Sequence, residues 1–213
     1  MKAFMHILDT ITDFCFPPSQ SLTLVRTTPP TDILTYYKPQ VHQTVTTLTE
    51  YPEPVIKAII TAAKFEHNEQ VLRLLAPMLN RYITEFGLPV STTAFVPIPL
   101  HPKRKRERGY NQVASLLSFA NQLSIEPLLI VNALVRNRHT EAQSHLGKAE
   151  RTKNIAHAFS LNPRTRPLTG ITDIVILDDV VTTGSTLKCA ADTLRKHTAS
   201  HITIHQVAIA RAY

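Results

Sequence analysis

The apolar run at residues 174–177 constrains the fold of this 213-residue chain more than any other feature. Isoleucine, valine and leucine occupy consecutive positions, as expected of a strand that is buried on both faces. An amphipathic helix is predicted after it, at 185–197, and a final strand at 202–210. Strand–helix alternation of this kind predicts an α/β fold with a mostly parallel sheet flanked by helices. Earlier segments continue the pattern, with strands predicted at 94–99, 128–135 (as one strand or two) and 156–161, and helices from Pro52, at 69–86 and at 111–123.

The first 50 residues do not follow this alternation. A short amphipathic helix is predicted at 2–15, and Pro17 ends it. Residues 19–50 are rich in Thr, Ser and Pro, and we interpret most of them as irregular. The chain is therefore divided into an N-terminal region, residues 1–50, and an α/β domain, residues 51–213.

Composition limits the classes of function. The chain carries a net charge of +7, which favours anionic partners such as phosphates or nucleic acid. It has two cysteines, too few for a disulfide scaffold or a four-cysteine zinc site. Its apolar runs are too short for a membrane-spanning helix. We therefore expect a cytoplasmic protein that does not insert into membranes.

The apolar run leads into two adjacent carboxylates, Asp178 and Asp179, and then into a turn that opens a helix. Free backbone N–H groups at a helix start suit a phosphate, and carboxylates suit the hydroxyls of a ribose. A purely structural alternative is that the aspartates are polar residues at the end of the strand and that the hydroxyl of Thr183 or Ser185 caps the helix. The order of the segments favours a ribose-phosphate site, with five candidate phosphate-binding residues: Thr182, Thr183, Gly184, Ser185 and Thr186.

A second charged segment follows the strand predicted at 94–99. Residues 103–108 hold five cations and one anion. They are interpreted as a loop, which could be a solvated surface, a nucleic-acid patch with Tyr110 stacking on a base, or a binding site for a diphosphate. The candidate site residues here are Leu100, His101, Arg104 and Arg108.

A third segment, residues 136–154, is polar and has few residues able to build a core. Long polar excursions in a compact domain are often lids over active sites, although a surface loop is the simpler alternative. The candidate residues of such a flexible loop are Arg138, Thr140 and Gln143.

Together these segments resemble the ComF family. The three blocks occur in the family's order and read VPIPLHPKRKRERGYNQ, RNRHTEAQSHLGKAERTKNIAHAF and IVILDDVVTTGSTL. The third block also resembles the 5-phosphoribosyl-1-diphosphate (PRPP) motif of type I phosphoribosyltransferases. The resemblance implies a phosphoribosyltransferase-like fold in which Asp178 and Asp179 bind the ribose hydroxyls and residues 182–186 bind the 5′-phosphate. It also implies Mg²⁺, which would be held through the ligand.

One departure from the family is plain. Members often carry a four-cysteine zinc module after the Phe16-Pro17 element, whereas here no cysteine follows Cys15 until Cys189. We therefore expect no structural zinc.

Three functions remain open at this point. The first is transfer of a phosphoribosyl group from PRPP to an unidentified acceptor, with Mg²⁺ and without any residue assigned as general base. The second is a non-catalytic role in DNA uptake or utilisation, with single-stranded DNA and DNA-uptake proteins as partners. The third is a sensor that binds a ribose phosphate without turnover. Mg²⁺-dependent binding of PRPP would favour the first, and salt-sensitive binding of DNA the second.

Overall fold

A computed structural model describes residues 20–27, 29–137, 158–165 and 168–212. The apolar run lies in the strand β7 (Asp173–Val181), whose residues 174–177 are all buried. β7 pairs in parallel with β8 (Thr203–Arg211) on one side and with β3 (Thr93–Pro97) on the other. β4 (Leu129–Ile130) extends the sheet beyond β3, also in parallel.

Two more strands complete this sheet on the side of β8. β2 (Val45–Glu50) pairs in parallel with β8, and β1 (Gln40–His42) pairs antiparallel with β2. The order is β1-β2-β8-β7-β3-β4. The predicted α/β class with a mostly parallel sheet is therefore confirmed.

Helices cover both faces of the sheet. On one face, Val175 and Leu177 of β7 share a core with α2 (Pro54–Phe65), α3 (Ala76–Glu85) and α5 (Gln112–Leu123). On the other face, Ile174 and Ile176 pack in a second core with α6 (Ser185–Arg195). This division follows from the alternation of side chains along a strand. It also explains why β7 is apolar at four consecutive positions.

The predicted helix at 69–86 is broken where its proline suggests. A 3₁₀ helix, Glu69–Leu75, precedes α3, and Pro77 lies in the first turn of α3. The region predicted as one strand or two forms two, β4 and β5 (Leu134–Arg136), and β5 pairs antiparallel with β6 (Phe159–Leu161) in a separate ribbon. A further 3₁₀ turn, Val90–Thr92, leads into β3.

The irregular interpretation of residues 19–50 is wrong for most of that segment. It contains α1 (Gln20–Thr27), a 3₁₀ helix (Pro30–Tyr36), β1 and β2. β2 is ordered by burial, since Leu48 is fully enclosed and Thr47 lies opposite Ala208 in the sheet. The sheet thus takes strands from both sides of the boundary predicted at residue 50, and the division into domains stays a prediction. The helix expected at 2–15 lies outside the described residues.

Within the described residues, the helices are too short or too polar to cross a lipid bilayer.

Candidate functional site

The turn between β7 and α6 brings the predicted phosphate-binding residues together. Gly184 adopts a left-handed conformation, with φ of 75°, and α6 starts at the next residue. Thr182 and Thr183 are exposed, and the Thr183 and Ser185 hydroxyl oxygens lie 2.9 Å apart. Hydroxyls and the N–H groups of a helix start therefore share one turn, which is a suitable environment for an anion.

A side chain at Gly184 would crowd the side chain of Val45. A Cβ atom there would lie 3.2 Å from Val45 Cγ2, and the positive φ is itself costly for other residues. We expect Gly184→Ala to lower the free energy of unfolding by about 1–2 kcal/mol from the backbone conformation alone, and by more because of the contact. Gly170→Ala is the matched control, since Gly170 has φ of 76° and a Cβ atom there would have no neighbour within 4 Å. Chemical denaturation would contradict the packing argument if both variants lost the same stability.

The two carboxylates lie inside β7, not after its end. β3 pairs with β7 only as far as Leu177, whereas β8 accompanies β7 to Val181. Asp178 and Asp179 therefore stand where β7 projects beyond β3. Adjacent residues of a strand point to opposite faces, so the two carboxylates flank the sheet on either side of this projection.

Asp179 faces α2, and its carboxylate is paired there. Lys64 Nζ donates to Asp179 Oδ1 at 2.9 Å, and both side chains are less than one-fifth exposed. An ion pair so protected from water is screened less than a surface pair. A ligand that uses the Asp179 carboxylate must therefore compete with Lys64.

Asp178 faces the opposite side. Its Oδ1 accepts the backbone N–H of Asp179 at 2.9 Å. Burial, together with the charge of Asp179, raises the pKa of Asp178 to about 7, and the nearby Lys64 and Arg136 only partly oppose this rise. The charge of the carboxylate pair consequently depends on pH near neutrality.

Arginines surround this pair of carboxylates. Burial lowers the pKa of Arg108, and the charge of Asp179 opposes that shift. Burial likewise lowers the pKa of Arg136, opposed by the charge of Asp178. Arg104 repels both guanidinium groups, so it belongs to the same cluster of charge. With Lys64, four cations face two carboxylates, and the site as a whole suits an anionic ligand.

The basic segment is a helix and not the predicted loop. α4 spans Pro102–Arg108, and His101 caps it by accepting the N–H of Lys103 on its ring nitrogen. Pro102 suits the first helical position and Gly109, with φ of 81°, suits the end. Leu100 and His101 stand just before this helix and are half-buried. α4 therefore directs Arg108 toward Asp179, places Arg104 near Arg108 and Arg136, and leaves Lys103, Lys105 and Arg106 exposed.

Several known proteins are similar to this chain in sequence. Competence protein F of Haemophilus influenzae is 33% identical over 152 residues, and the matched part is 68% of this chain and 64% of that protein. DNA utilization protein YhgH of Escherichia coli K12 is 30% identical over 173 residues, which cover 78% of this chain and 72% of that protein. This chain belongs to the ComF family.

A third ComF-family relative is competence protein ComFC of Bacillus subtilis, which is 30% identical over 122 residues, or 54% of this chain and 46% of that protein. The shared part is thus smaller for ComFC than for YhgH. No protein-family model matches the chain.

Two residues of the charged cluster in this ComF-family chain were not predicted from the sequence: Lys64 and Arg136. Lys64 is the basic residue in the last turn of an amphipathic helix, where a lysine side chain is usually exposed to solvent. Arg136 begins the polar segment, and its proximity to Asp178 depends on the separate β5–β6 ribbon. The predicted lid residues Arg138, Thr140 and Gln143 lie outside the described residues.

Metal ligands do not cluster in the described part of this ComF-family chain. Across its ranges 20–27, 29–137, 158–165 and 168–212, no three His, Cys, Asp or Glu side chains are placed to hold a metal ion. The expectation of no structural zinc stays a prediction.

Asp178→Asn tests the pH dependence of this site. The folded protein holds the Asp178 proton up to about pH 7, whereas the unfolded chain releases it near the ordinary Asp value. The wild type therefore loses stability as pH rises through that range, and the asparagine variant does not. We expect the stability advantage of the variant to grow by about 1–3 kcal/mol between pH 5 and pH 8.

Urea denaturation at both pH values measures this difference. The matched control is Asp192→Asn, which removes an exposed carboxylate of α6. If the free energy of unfolding changed with pH equally in the wild type and in Asp178→Asn, the raised pKa of Asp178 would be refuted.

Proposed function

We propose that this chain works in competence or DNA utilisation by binding single-stranded DNA along α4. The proposal is carried by one observation: Lys103, Lys105 and Arg106 stand exposed on one short helix. The names of the ComF-family relatives, which refer to competence and DNA utilization, support the same role. Exposed cations next to one another fit the closely spaced phosphates of a strand. Contacts with DNA-uptake proteins stay a prediction.

Fluorescence anisotropy of a labelled thymidine oligonucleotide tests this function. Binding should weaken as salt rises, with a logarithmic slope of about −0.7 for each phosphate contacted. Three exposed cations predict a slope of about −2. The DNA function would be refuted if the protein did not bind the oligonucleotide at 50 mM salt, or if its affinity did not change with salt concentration.

A second candidate function rests on a different observation, the projecting end of β7. Carboxylates there adjoin a turn that carries hydroxyls and the N–H groups at the start of α6. We propose that this edge binds PRPP or another 5-phosphorylated ribose, and that the sheet is of the type I phosphoribosyltransferase kind. Asp178 and Asp179 would accept hydrogen bonds from the ribose hydroxyls, while residues 182–186 would donate to the 5′-phosphate.

The cations have a role in the same proposal. Arg108 and Arg136 would bind a diphosphate with their planar donor groups, assisted by Arg104. Lys64 would release Asp179 as the ribose enters. If the phosphoribosyl group is transferred, the same arginines would stabilise the charge that grows on the departing diphosphate. The acceptor and a general base are not assigned.

Mg²⁺ fits this donor set, because hard divalent cations prefer oxygen ligands and often combine one or two carboxylates with phosphate oxygens. Asp178 and Asp179 are the described carboxylates able to contribute, with the rest of the coordination supplied by the ligand. The ion would neutralise part of the diphosphate charge.

Calorimetric titration of PRPP with and without Mg²⁺ tests the second function. We expect saturable binding that requires the metal ion. The absence of binding at millimolar PRPP would remove the ribose-phosphate function and leave the DNA function standing.

A further inference from the structure

Phe65 is an exposed aromatic residue next to the charged cluster. It ends α2 with 69% of its surface exposed, although its neighbour Lys64 reaches Asp179. Leaving most of a phenylalanine side chain in water forgoes the stabilisation that its burial would give. An exposed aromatic ring therefore lies beside the charged cluster.

The position of Phe65 relative to α4 is fixed by several contacts. The Arg108 guanidinium lies over the ring, 5.9 Å from its centroid, within the reach of a cation–π interaction. Arg108 also donates to Gln112 Oε1 at 3.1 Å, which orients it. The His67 ring nitrogen lies 3.4 Å from the backbone carbonyl of Arg108. These contacts hold the ring of Phe65 and the guanidinium of Arg108 in one arrangement at the junction of α2 and α4.

Tyr110, which the sequence suggested for stacking on a base, is less exposed than Phe65. Its hydroxyl donates to the carbonyl of Ala63 at 2.5 Å, and its ring is half-buried against the core. Tyr110 instead ties the end of α4 to the end of α2. The exposed aromatic ring at this junction is that of Phe65.

We propose that Phe65 is the base-stacking platform of a single-stranded DNA interface whose phosphates run along α4. This inference rests on the proposed DNA function and names the residue on which a base stacks. Sequence-tolerant sites of this kind combine aromatic rings for the bases with a basic track for the backbone. Arg108 extends the platform, because a guanidinium plane can also stack on a base.

The test compares Phe65→Ala with Phe86→Ala in the oligonucleotide titration. Phe86 is also an exposed phenylalanine after a helix end, but it stacks on Tyr82 at 4.4 Å and lies outside α2 and α4. Phe65→Ala should weaken binding by about tenfold, and Phe86→Ala should not change it. The salt slope of Phe65→Ala should equal that of the wild type, since no charge is lost.

A second variant gives a direct signal. The chain contains no tryptophan, so Phe65→Trp introduces a single indole fluorophore. Stacking of thymine on it should quench its emission at the same oligonucleotide concentration that saturates the anisotropy, and affinity should be retained.

The outcomes separate the two levels of the proposal. A wild type that does not bind DNA overturns the function itself. A wild type that binds while Phe65→Ala matches Phe86→Ala overturns the stacking role alone. Quenching by thymidine monophosphate at the same concentration as by the oligonucleotide would also overturn it, because the ring would then serve a mononucleotide and not a strand.

Discussion

Replacing both Asp178 and Asp179 with asparagine should strongly weaken calorimetric binding of PRPP while the protein stays folded. Asparagine keeps an acceptor oxygen but loses the charge, and a hydrogen bond to a charged acceptor contributes about 1–1.5 kcal/mol more than a neutral one, so the two changes together should weaken binding by about 30- to 150-fold. The fold should persist because the asparagine at 178 still accepts the backbone N–H of residue 179. Burial of charge at this position is also relieved.

The control for this variant must lose charge without touching the site. Asp192→Asn serves, since Asp192 pairs with Arg195 on the exposed side of α6. Its PRPP affinity should equal that of the wild type. Lys64→Met adds a second comparison, because it frees Asp179 without removing a carboxylate. If the double asparagine variant kept wild-type affinity, the ribose assignment of Asp178 and Asp179 would be lost.

Charge reversal on α4 should have the second largest effect. Lys105→Glu with Arg106→Glu takes the net charge of residues 103–108 from +4 to zero, and both residues are exposed on α4. A strand that contacts both positions would lose two phosphate contacts, which makes the salt slope shallower by about 1.4 and weakens binding at 50 mM salt by at least about tenfold.

The matched control reverses two exposed lysines elsewhere, Lys38→Glu with Lys196→Glu. It changes the total charge of the protein by the same amount. Equal losses in both variants would mean that only the overall charge of the protein attracts DNA. An unchanged affinity and slope in the α4 variant would exclude this helix as the DNA track. Thermal unfolding checks that both proteins are folded.

The parts of the fold that depend on local patterns were predictable. Four consecutive apolar residues indicated β7, and Asn111 caps α5 as its residue type suggests, accepting the N–H groups of Val113 and Ala114. β2 was missed because its order comes from pairing with β8, about 160 residues away in the chain. α4 was predicted as a loop because its run of charged residues has no apolar periodicity. Pro102 at its start and Gly109 at its end are nevertheless typical of helix boundaries.

The same distinction holds for the site. Asp178, Asp179 and residues 182–186 are close in the chain, so their proximity could be inferred from the sequence. Lys64 reaches Asp179 across 115 positions, and no local pattern records that contact. The length of β7 was also hidden, because carboxylates look like the end of a strand when the continuing partner β8 is not known. Sequence patterns thus identified the residues of β7 and the following turn, whereas Lys64 and Arg136 join the site through tertiary contacts.

The place of β8 in the sheet has a consequence for how the protein is made. β8 is the last described strand along the chain, yet it lies between β2 and β7. During synthesis, β2 and β7 therefore wait with open edges until residue 211 has left the ribosome, and such distant pairings form slowly. A nascent or truncated chain that lacks β8 exposes one unpaired edge on β2 and one on β7, and such edges are sites of aggregation.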